Sequence, residues 1–231
     1  MSHLLEVRHL SVRFGRTEVL RDVSFDVVAG TTLAVIGPNG SGKTVLFRAL
    51  IGAIPFDGRI QWAPGVRLGY VPQKLDLERD VPITGLDFLS ARMAIGRKAA
   101  MTVAEAIELV GLPAAVCRTS IGELSGGQFQ RLLVAFALIG DPTVLLLDEP
   151  TASVDEPGQE RLNELVHRLQ RDRGLTIVLI SHELTIVSRY ATSVLCLGGA
   201  TAHMGAPAEV LTESVLARVY GTPVAFHSHD H

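Results

Sequence analysis

The sequence predicts an α/β protein with a mostly parallel central sheet, an antiparallel β subdomain at the amino-terminal end and an α-helical subdomain inserted over residues 84–139. The apolar run Thr32-Leu33-Ala34-Val35-Ile36 leads directly into a glycine-rich turn and then into helical spacing. A second run, Val144-Leu145-Leu146-Leu147, has the continuous apolar character of a strand buried on both faces of a parallel sheet. From Thr84 to Ile139 apolar residues instead recur three or four apart, at Leu86, Leu89 and Met93 and again at Val103, Ile107 and Val110, as amphipathic helices require. With 231 residues, 47% of them apolar and 19% charged, the chain is long enough to bury a full α/β core.

The turn after the first run is Gly37-Pro38-Asn39-Gly40-Ser41-Gly42-Lys43-Thr44, which fits the pattern G-x-x-x-x-G-K-S/T. Its glycines let the backbone turn through positive φ, so that successive N–H groups converge on one point where an anion sits. Leu46 to Leu50 continues in helical register and adds the positive end of a helix dipole to that point. Lys43 reaches the β- and γ-phosphates of a nucleotide in such a loop, and the Thr44 hydroxyl takes one position on Mg²⁺. A glycine-rich turn without a ligand is the competing reading, and the setting between a strand and a helix speaks against it. A phosphate-loop NTPase core is therefore expected.

Upstream, residues 4–28 alternate like short antiparallel strands, Leu4 to Arg8 and Val19 to Val28, with turns at Gly15 and Gly30. Phe14, beside Gly15, suits stacking on a flat ligand and equally suits core packing. Downstream, Gly58 to Trp62 and Leu68 to Gln73 read as two further strands. Gln73 stands at the carboxyl end of the second, where ligands bind in parallel α/β sheets, although a loop amide satisfied by neighbouring backbone fits the position as well. Gly111-Leu112-Pro113 closes one helix of the insertion, and Ser125-Gly126-Gly127-Gln128 opens another through Arg131 to Leu138. Ser125 is a candidate N-cap, while Gly126 and Gly127 leave N–H groups exposed at a helix start, a second anion site.

The run Val144 to Leu147 ends abruptly in Asp148-Glu149-Pro150. A buried carboxylate is costly unless it is paired or faces a cation. The simplest cation is the Mg²⁺ at Thr44, with Asp148 as its second protein anchor. Glu149 is then placed to polarise an attacking water as a general base; two acids in a solvated loop are the alternative. Leu162 to Leu169 reads as an amphipathic helix, and Thr176 to Ile180 as a strand followed by Ser181-His182-Glu183. His182 is either structural or a donor to the γ-phosphate. Residues 192–204 suggest a hairpin turning at Gly198-Gly199, and Ala208 to Tyr220 a closing helix.

Composition excludes several classes. The net charge of -3 argues against nucleic acid as the partner. The two cysteines, Cys117 and Cys196, support neither a disulfide framework nor a cysteine zinc site and are expected in the core, which suits a reducing compartment. Residues 1–8 lack a basic segment followed by an apolar one, so a cytosolic product is expected. No stretch approaches the roughly 20 apolar residues of a membrane-spanning helix, so any membrane role is expected to come through a partner.

Taken together, these residues resemble the ATPase subunit of an ATP-binding-cassette (ABC) transporter over the whole chain. Phe14 fits the adenine-stacking aromatic, Gly37 to Thr44 the Walker A loop and Gln73 the Q-loop. Leu124-Ser125-Gly126-Gly127-Gln128 is similar to the family signature, Val144 to Glu149 to Walker B, Ser153-Val154-Asp155 to the D-loop and His182 to the switch histidine. The resemblance implies one nucleotide-binding domain, 1–231, that uses ATP and Mg²⁺. It implies Lys43, Gln73, Glu149 and His182 in catalysis, Thr44, Gln73 and Asp148 on the metal, and Phe14, Gly37, Pro38, Asn39, Gly40, Ser41, Gly42, Lys43, Thr44 and Val45 on the nucleotide. Two subunits, expected to be copies of one chain, would pair head to tail. Ser125, Gly126, Gly127, Gln128 and Asp155 of one would then face the ATP of the other, which accounts for the second anion site. The other implied partners are a separate integral membrane permease, resting against residues 74–95, and indirectly a solute-binding receptor; the subunit would sit peripherally on the inner face of the membrane. Val45 departs from the family, which commonly has Ser or Thr there to help hold the α-phosphate, and a modest loss of nucleotide affinity is expected.

The segment from Tyr70 to Thr84 looks like the version in zinc and manganese importers. The tail His227-Ser228-His229-Asp230-His231 holds three of the eight histidines, a composition able to bind zinc and equally that of a polar tail rich in histidine by chance. The same engine serving an iron-chelate importer or an exporter is the alternative. A cassette protein acting on ribosomes or DNA is disfavoured by the absence of a second Walker A and of sustained heptads.

Overall fold

Two twelve-residue strands open the chain, β1 (His3–Phe14) and β2 (Thr17–Val28), longer than the alternation predicts. In β1 the buried positions are Leu5 and Val7, then Leu10 and Val12; in β2 they are Leu20, then Val23, Phe25 and Val27. The period of two slips once in each strand, where His9 (φ 53) and Asp22 (φ 49) take left-handed backbone and the β1–β2 register shifts. A bulge of this kind moves the apolar set back onto the core face and hides the strand's continuity from a strict alternation count. β3 (Thr32–Ile36), α1 (Lys43–Leu50) and β4 (Asp57–Trp62) follow, and β4 joins the other edge of β1 to give an antiparallel sheet of order β2-β1-β4. The computed structural model of the 231-residue chain describes residues 3–75, 82–95, 101–152, 154–198 and 201–220.

The chain divides into two compact units: Met1–Val66 with Thr176–His231, and Arg67–Leu175. In the second, β5 (Leu68–Val71) runs parallel to β6 (Val144–Asp148), whose five residues are all buried. Between them lie α2 (Gly85–Ile95), α3 (Val103–Leu109) and α4 (Gly126–Ile139), the expected helical insertion. Thr102 and Glu105 form a reciprocal capping box at the start of α3, and Thr84 and Asp87 exchange equivalent bonds at the start of α2. α2 packs on α4 through stacked Phe88 and Phe136, 4.5 Å between centroids. α5 (Glu156–Arg173) is 18 residues long, not the eight of 162–169, because both its ends are polar and carry no apolar period. It stops at left-handed Gly174 (φ 64).

The first unit resumes with β7 (Thr176–Ile180), α6 (Leu184–Tyr190), β8 (Ser193–Gly198) and β9 (Thr201–Gly205). β3 lies between β7 and β8, parallel to both, and β9 pairs antiparallel with β8 as the predicted hairpin. The second turn glycine, Gly199, lies outside the described residues, as do Ser153, residues 76–80 and the tail 227–231. The single closing helix predicted over 208–220 is two, α7 (Pro207–Val210) and α8 (Glu213–Tyr220). Thr212 interrupts them: its hydroxyl accepts from the Val215 N–H at 3.4 Å, the bond of a helix start rather than of a helix interior. Ile36 of β3, Val194 and Cys196 of β8, Val210 of α7, and Val215 and Leu216 of α8 share one core cluster. Cys117 and Cys196 are buried free thiols as expected, and burial pushes Cys196 up to about 11.

Candidate nucleotide site

The first unit carries the phosphate loop. β3 delivers the chain to Gly37 (φ 150), and Gly40 (φ 79) and Gly42 (φ 94) supply the further turns that an L side chain rarely adopts. A Cβ at Gly37 would lie 2.1 Å from the Leu197 carbonyl oxygen, so β8 also demands glycine there. α1 starts at Lys43, with the Leu46 N–H donating to the Gly42 carbonyl at 2.8 Å. Lys43 is only 6% exposed, and its Nζ donates to the carbonyls of Gly37 at 2.9 Å and Pro38 at 3.1 Å. Thr44 and Val45 follow on α1, both half-buried.

Ser41 decides whether this loop fits a nucleotide. Its N–H donates to the Pro38 carbonyl at 3.2 Å, but its Oγ is buried with no hydrogen-bond partner. An unsatisfied buried hydroxyl costs about 1–3 kcal/mol, and a phosphate oxygen would remove that cost. With the positive-φ glycines and Lys43 around it, the loop fits a polyphosphate. A cleft of about 470 Å³ continues from Pro38, Asn39, Gly40 and Ser41 onto Thr17, Glu18, Val19 and Arg21 of β2. Glu18 accepts from both Arg13 and Arg21 at this rim, and their guanidiniums hold its carboxyl below the usual carboxylate range. Phe14 is 48% exposed, so core packing does not account for it. The β2 residues carry no sequence motif and were missed; nothing but the fold places them beside the loop.

His182 is exposed just beyond β7. Val35 of β3 and Ile180 of β7 are register partners, so Gly37 and His182, each two residues further on, leave the same end of the sheet. The Ser181 N–H donates to the Val35 carbonyl at 3.3 Å and the Ser181 hydroxyl accepts from the Glu183 N–H at 3.0 Å, which shapes the turn carrying His182.

In the second unit, register again places the candidate residues. Val71 pairs with Leu147, and two residues beyond each stand Gln73 and Glu149. The Gln73 Nε2 donates to the Glu149 carboxylate at 2.7 Å. Glu149 has left-handed backbone (φ 46), a strained conformation for a residue with a side chain and one that clusters at functional sites. Asp148 is 1% exposed, and the Tyr70 hydroxyl donates to its Oδ2 at 3.3 Å. Tyr70 was not singled out from the sequence, since a tyrosine in a strand reads as packing until the partner strand is known.

Ser125 caps α4 as predicted. The Ser125 hydroxyl accepts from the Gln128 N–H at 3.3 Å and the Gln128 Oε1 accepts from the Ser125 N–H at 2.9 Å, a full capping box on α4. Gly126 is exposed, whereas Gly127 lies close to Val154, whose Cγ1 is 3.3 Å from where a Cβ would stand. Gln159 Nε2 donates to the carbonyls of Thr151 at 3.3 Å and Val154 at 2.9 Å. Asp155 is exposed at the start of α5, its carbonyl accepting from Gly158 and Gln159. The unit thus brings Ser125–Gln128 together with residues 154–155.

A phosphate loop and a Ser-Gly-Gly-Gln helix start, with a carboxylate pair closing a buried strand, define an ATPase cassette. Residues 20–152 match the family model described as ABC transporter, and the chain belongs to that family. It is an ABC-type ATPase that binds ATP with Mg²⁺. Among its relatives is the zinc import ATP-binding protein ZnuC of Cereibacter sphaeroides, 40% identical over 94% of this chain and 88% of that protein. The ZnuC of Yersinia enterocolitica is 38% identical over 100% of this chain and 93% of its own length. Among solved structures, an inward-facing ABC transporter described as of a metal-chelate type superposes with a TM-score of 0.86, at 25% identity over 96% of this chain and 90% of that one. CbiO1 of Clostridium perfringens, part of a cbiONQ transporter complex, gives 0.77 at 25% identity over 94% of each chain. Among the described residues no helix is long and apolar enough to cross a membrane.

Proposed function

We propose that residues 1–231 form one nucleotide-binding domain that powers a separate membrane permease importing a divalent metal ion, zinc foremost. The observation that carries this is the similarity, over nearly the whole chain, to proteins that are themselves zinc import ATP-binding proteins. The chain works at the inner face of the membrane, held there by the permease, in a head-to-tail pair of two copies. The exposed Met93 and Ile95 (80% exposed) at the end of α2 support a landing place for the permease within residues 74–95.

In this reading Phe14 stacks on adenine, and the loop from Gly37 to Thr44 holds the phosphates. Thr44, Asp148 and Gln73 hold the Mg²⁺, which supplies neutralisation of phosphate charge when bound. Glu149 takes the proton of the attacking water and His182 donates to the γ-phosphate. Ser125 to Gln128 and Asp155 serve the partner copy's nucleotide. Val45 cannot offer the α-phosphate a hydroxyl.

Reconstitution of the chain with its permease in liposomes, with the solute receptor loaded with Zn²⁺, Mn²⁺ or Fe²⁺, tests the cargo. Stimulation of ATPase activity by the zinc-loaded receptor is expected. Stimulation by a metal chelate alone, to which the likeness to a metal-chelate type transporter draws attention, would replace the metal-ion reading while leaving the ATPase in place.

The Tyr70 hydroxyl gives the metal reading a sharper test. Tyr70→Phe removes one bond to Asp148, and partners behind a metal ligand are worth about 10- to 100-fold in metal affinity or activity. The Mg²⁺ concentration for half-maximal ATPase should rise by roughly tenfold. An unchanged Mg²⁺ dependence would remove Asp148 from the metal.

A further inference from the structure

The cleft beside the phosphate loop is ordered along β2. Phe14 and Thr17 are register partners at the tip of the β1–β2 hairpin, so the strand begins beside the exposed aromatic ring. Two residues further on it reaches the loop, where a Cβ at Gly42 would lie 3.1 Å from Val19 Cγ1 and 2.7 Å from Leu20 Cδ2. Glu18 stands between these two ends, and it lines the same cleft of about 470 Å³ as Pro38 to Ser41. The pairing slips at this point. Val12 faces Leu20 and Arg13 faces Glu18, so Val19 is an extra residue in β2, a bulge of the kind that re-aims side chains next to functional sites.

The Glu18 carboxylate is fixed but not saturated. Its Oε1 accepts from Arg13 Nε at 3.0 Å and from Arg13 Nη2 at 2.8 Å, and its Oε2 accepts from Arg21 Nε. Each carboxylate oxygen accepts two donors, so Oε2 has one acceptor position left. The Glu18 side chain is 17% exposed against 62% for Arg13 and 63% for Arg21, so the carboxylate sits further in than the two cations that hold it. An anion fixed there repels phosphate and accepts only from a donor such as a hydroxyl.

We propose that Glu18 reads the sugar of the nucleotide: with the phosphates on the loop and the base on Phe14, the ribose lies at Glu18, and its 2′- or 3′-hydroxyl donates to Oε2. The amino group of adenine is the competing donor, but it lies at the end of the base remote from the sugar, whereas Glu18 is on the loop side of Phe14 along β2. The proposal rests on residues 37–44 holding the phosphates and on Phe14 holding the base.

Equilibrium binding of ATP, 2′-deoxyATP, 3′-deoxyATP and GTP to the full-length chain tests this. The wild type should bind ATP about tenfold more tightly than one of the two deoxy analogues, the worth of a partly exposed hydrogen bond to a charged acceptor. In Glu18→Ala that preference should disappear, with ATP affinity falling to that of the analogue and affinity for the analogue little changed. A wild-type chain that binds both deoxy analogues as tightly as ATP overturns the proposal, and that arm stands even where Glu18→Ala does not fold. A preference that survives in Glu18→Ala overturns it too. So does a variant that alters the ratio of ATP to GTP affinity and leaves the ribose preference intact, since the base would then lie at Glu18. Lys43→Ala run alongside separates the two readings: if it leaves ATP affinity unchanged, the phosphate site itself is misplaced, and if it loses affinity while the ribose preference fails its test, only the role of Glu18 falls.

Discussion

Glu149→Gln should leave ATP affinity within about twofold while lowering turnover by about 10²–10⁴-fold, the range for loss of a positioned general base. The substitution removes the carboxylate's charge and proton affinity with little change of shape. The side chain keeps its length, and a glutamine Oε1 can still accept from Gln73 Nε2, which now lies 2.7 Å from the carboxylate. The left-handed backbone at φ 46 is no harder for Gln than for Glu, so the melting temperature should hold. With hydrolysis blocked, the ATP-bound pair of subunits should persist and elute as a dimer on size exclusion. Turnover close to wild type would rule Glu149 out as the base.

Lys43→Ala should act at the opposite step, lowering ATP affinity by about 10- to 100-fold or more, since one hydrogen bond to a charged group is worth about 1.5–3 kcal/mol. Lys43 is buried within the loop it serves and donates to the Gly37 and Pro38 carbonyls, so its charge is already in position for phosphate. Alanine loses that charge and also leaves the two carbonyls without these donors, loosening the loop. Lys43→Met, which keeps most of the side chain's bulk, separates the effects: an equal loss of affinity in both variants assigns it to the charge. A nucleotide titration reads both, and unimpaired binding in both would remove the loop from the nucleotide.

Much of the candidate site could be read from the chain because its chemistry is local. The loop from Gly37 to Thr44 needs its glycines, lysine and hydroxyl within eight consecutive residues, and the start of α4 carries its cap, Ser125, and its reciprocal partner, Gln128, three residues apart. Buried strands such as β3 and β6 announce themselves by unbroken apolar runs, with all five residues buried in each. Less of the fold's detail was legible. The bulges at His9 and Asp22 reset an alternation that a period-two count reads as an ending, and Thr212 splits a helix whose apolar spacing runs on through it.

Local spacing, residue chemistry and the resemblance of the motifs therefore determined the family, the α/β class and the candidate residues for a nucleotide. Tertiary structure alone decided how those residues are held. Parallel register between β5 and β6 sets Gln73 against Glu149, 76 positions apart, and brings the Tyr70 hydroxyl to Asp148. A carbonyl at Leu197, far along the chain, leaves no room for a side chain at Gly37. Helix and strand periods are written in neighbouring residues, whereas a hydrogen bond between distant strands depends on which residues the folded register makes opposite, and no local pattern records that.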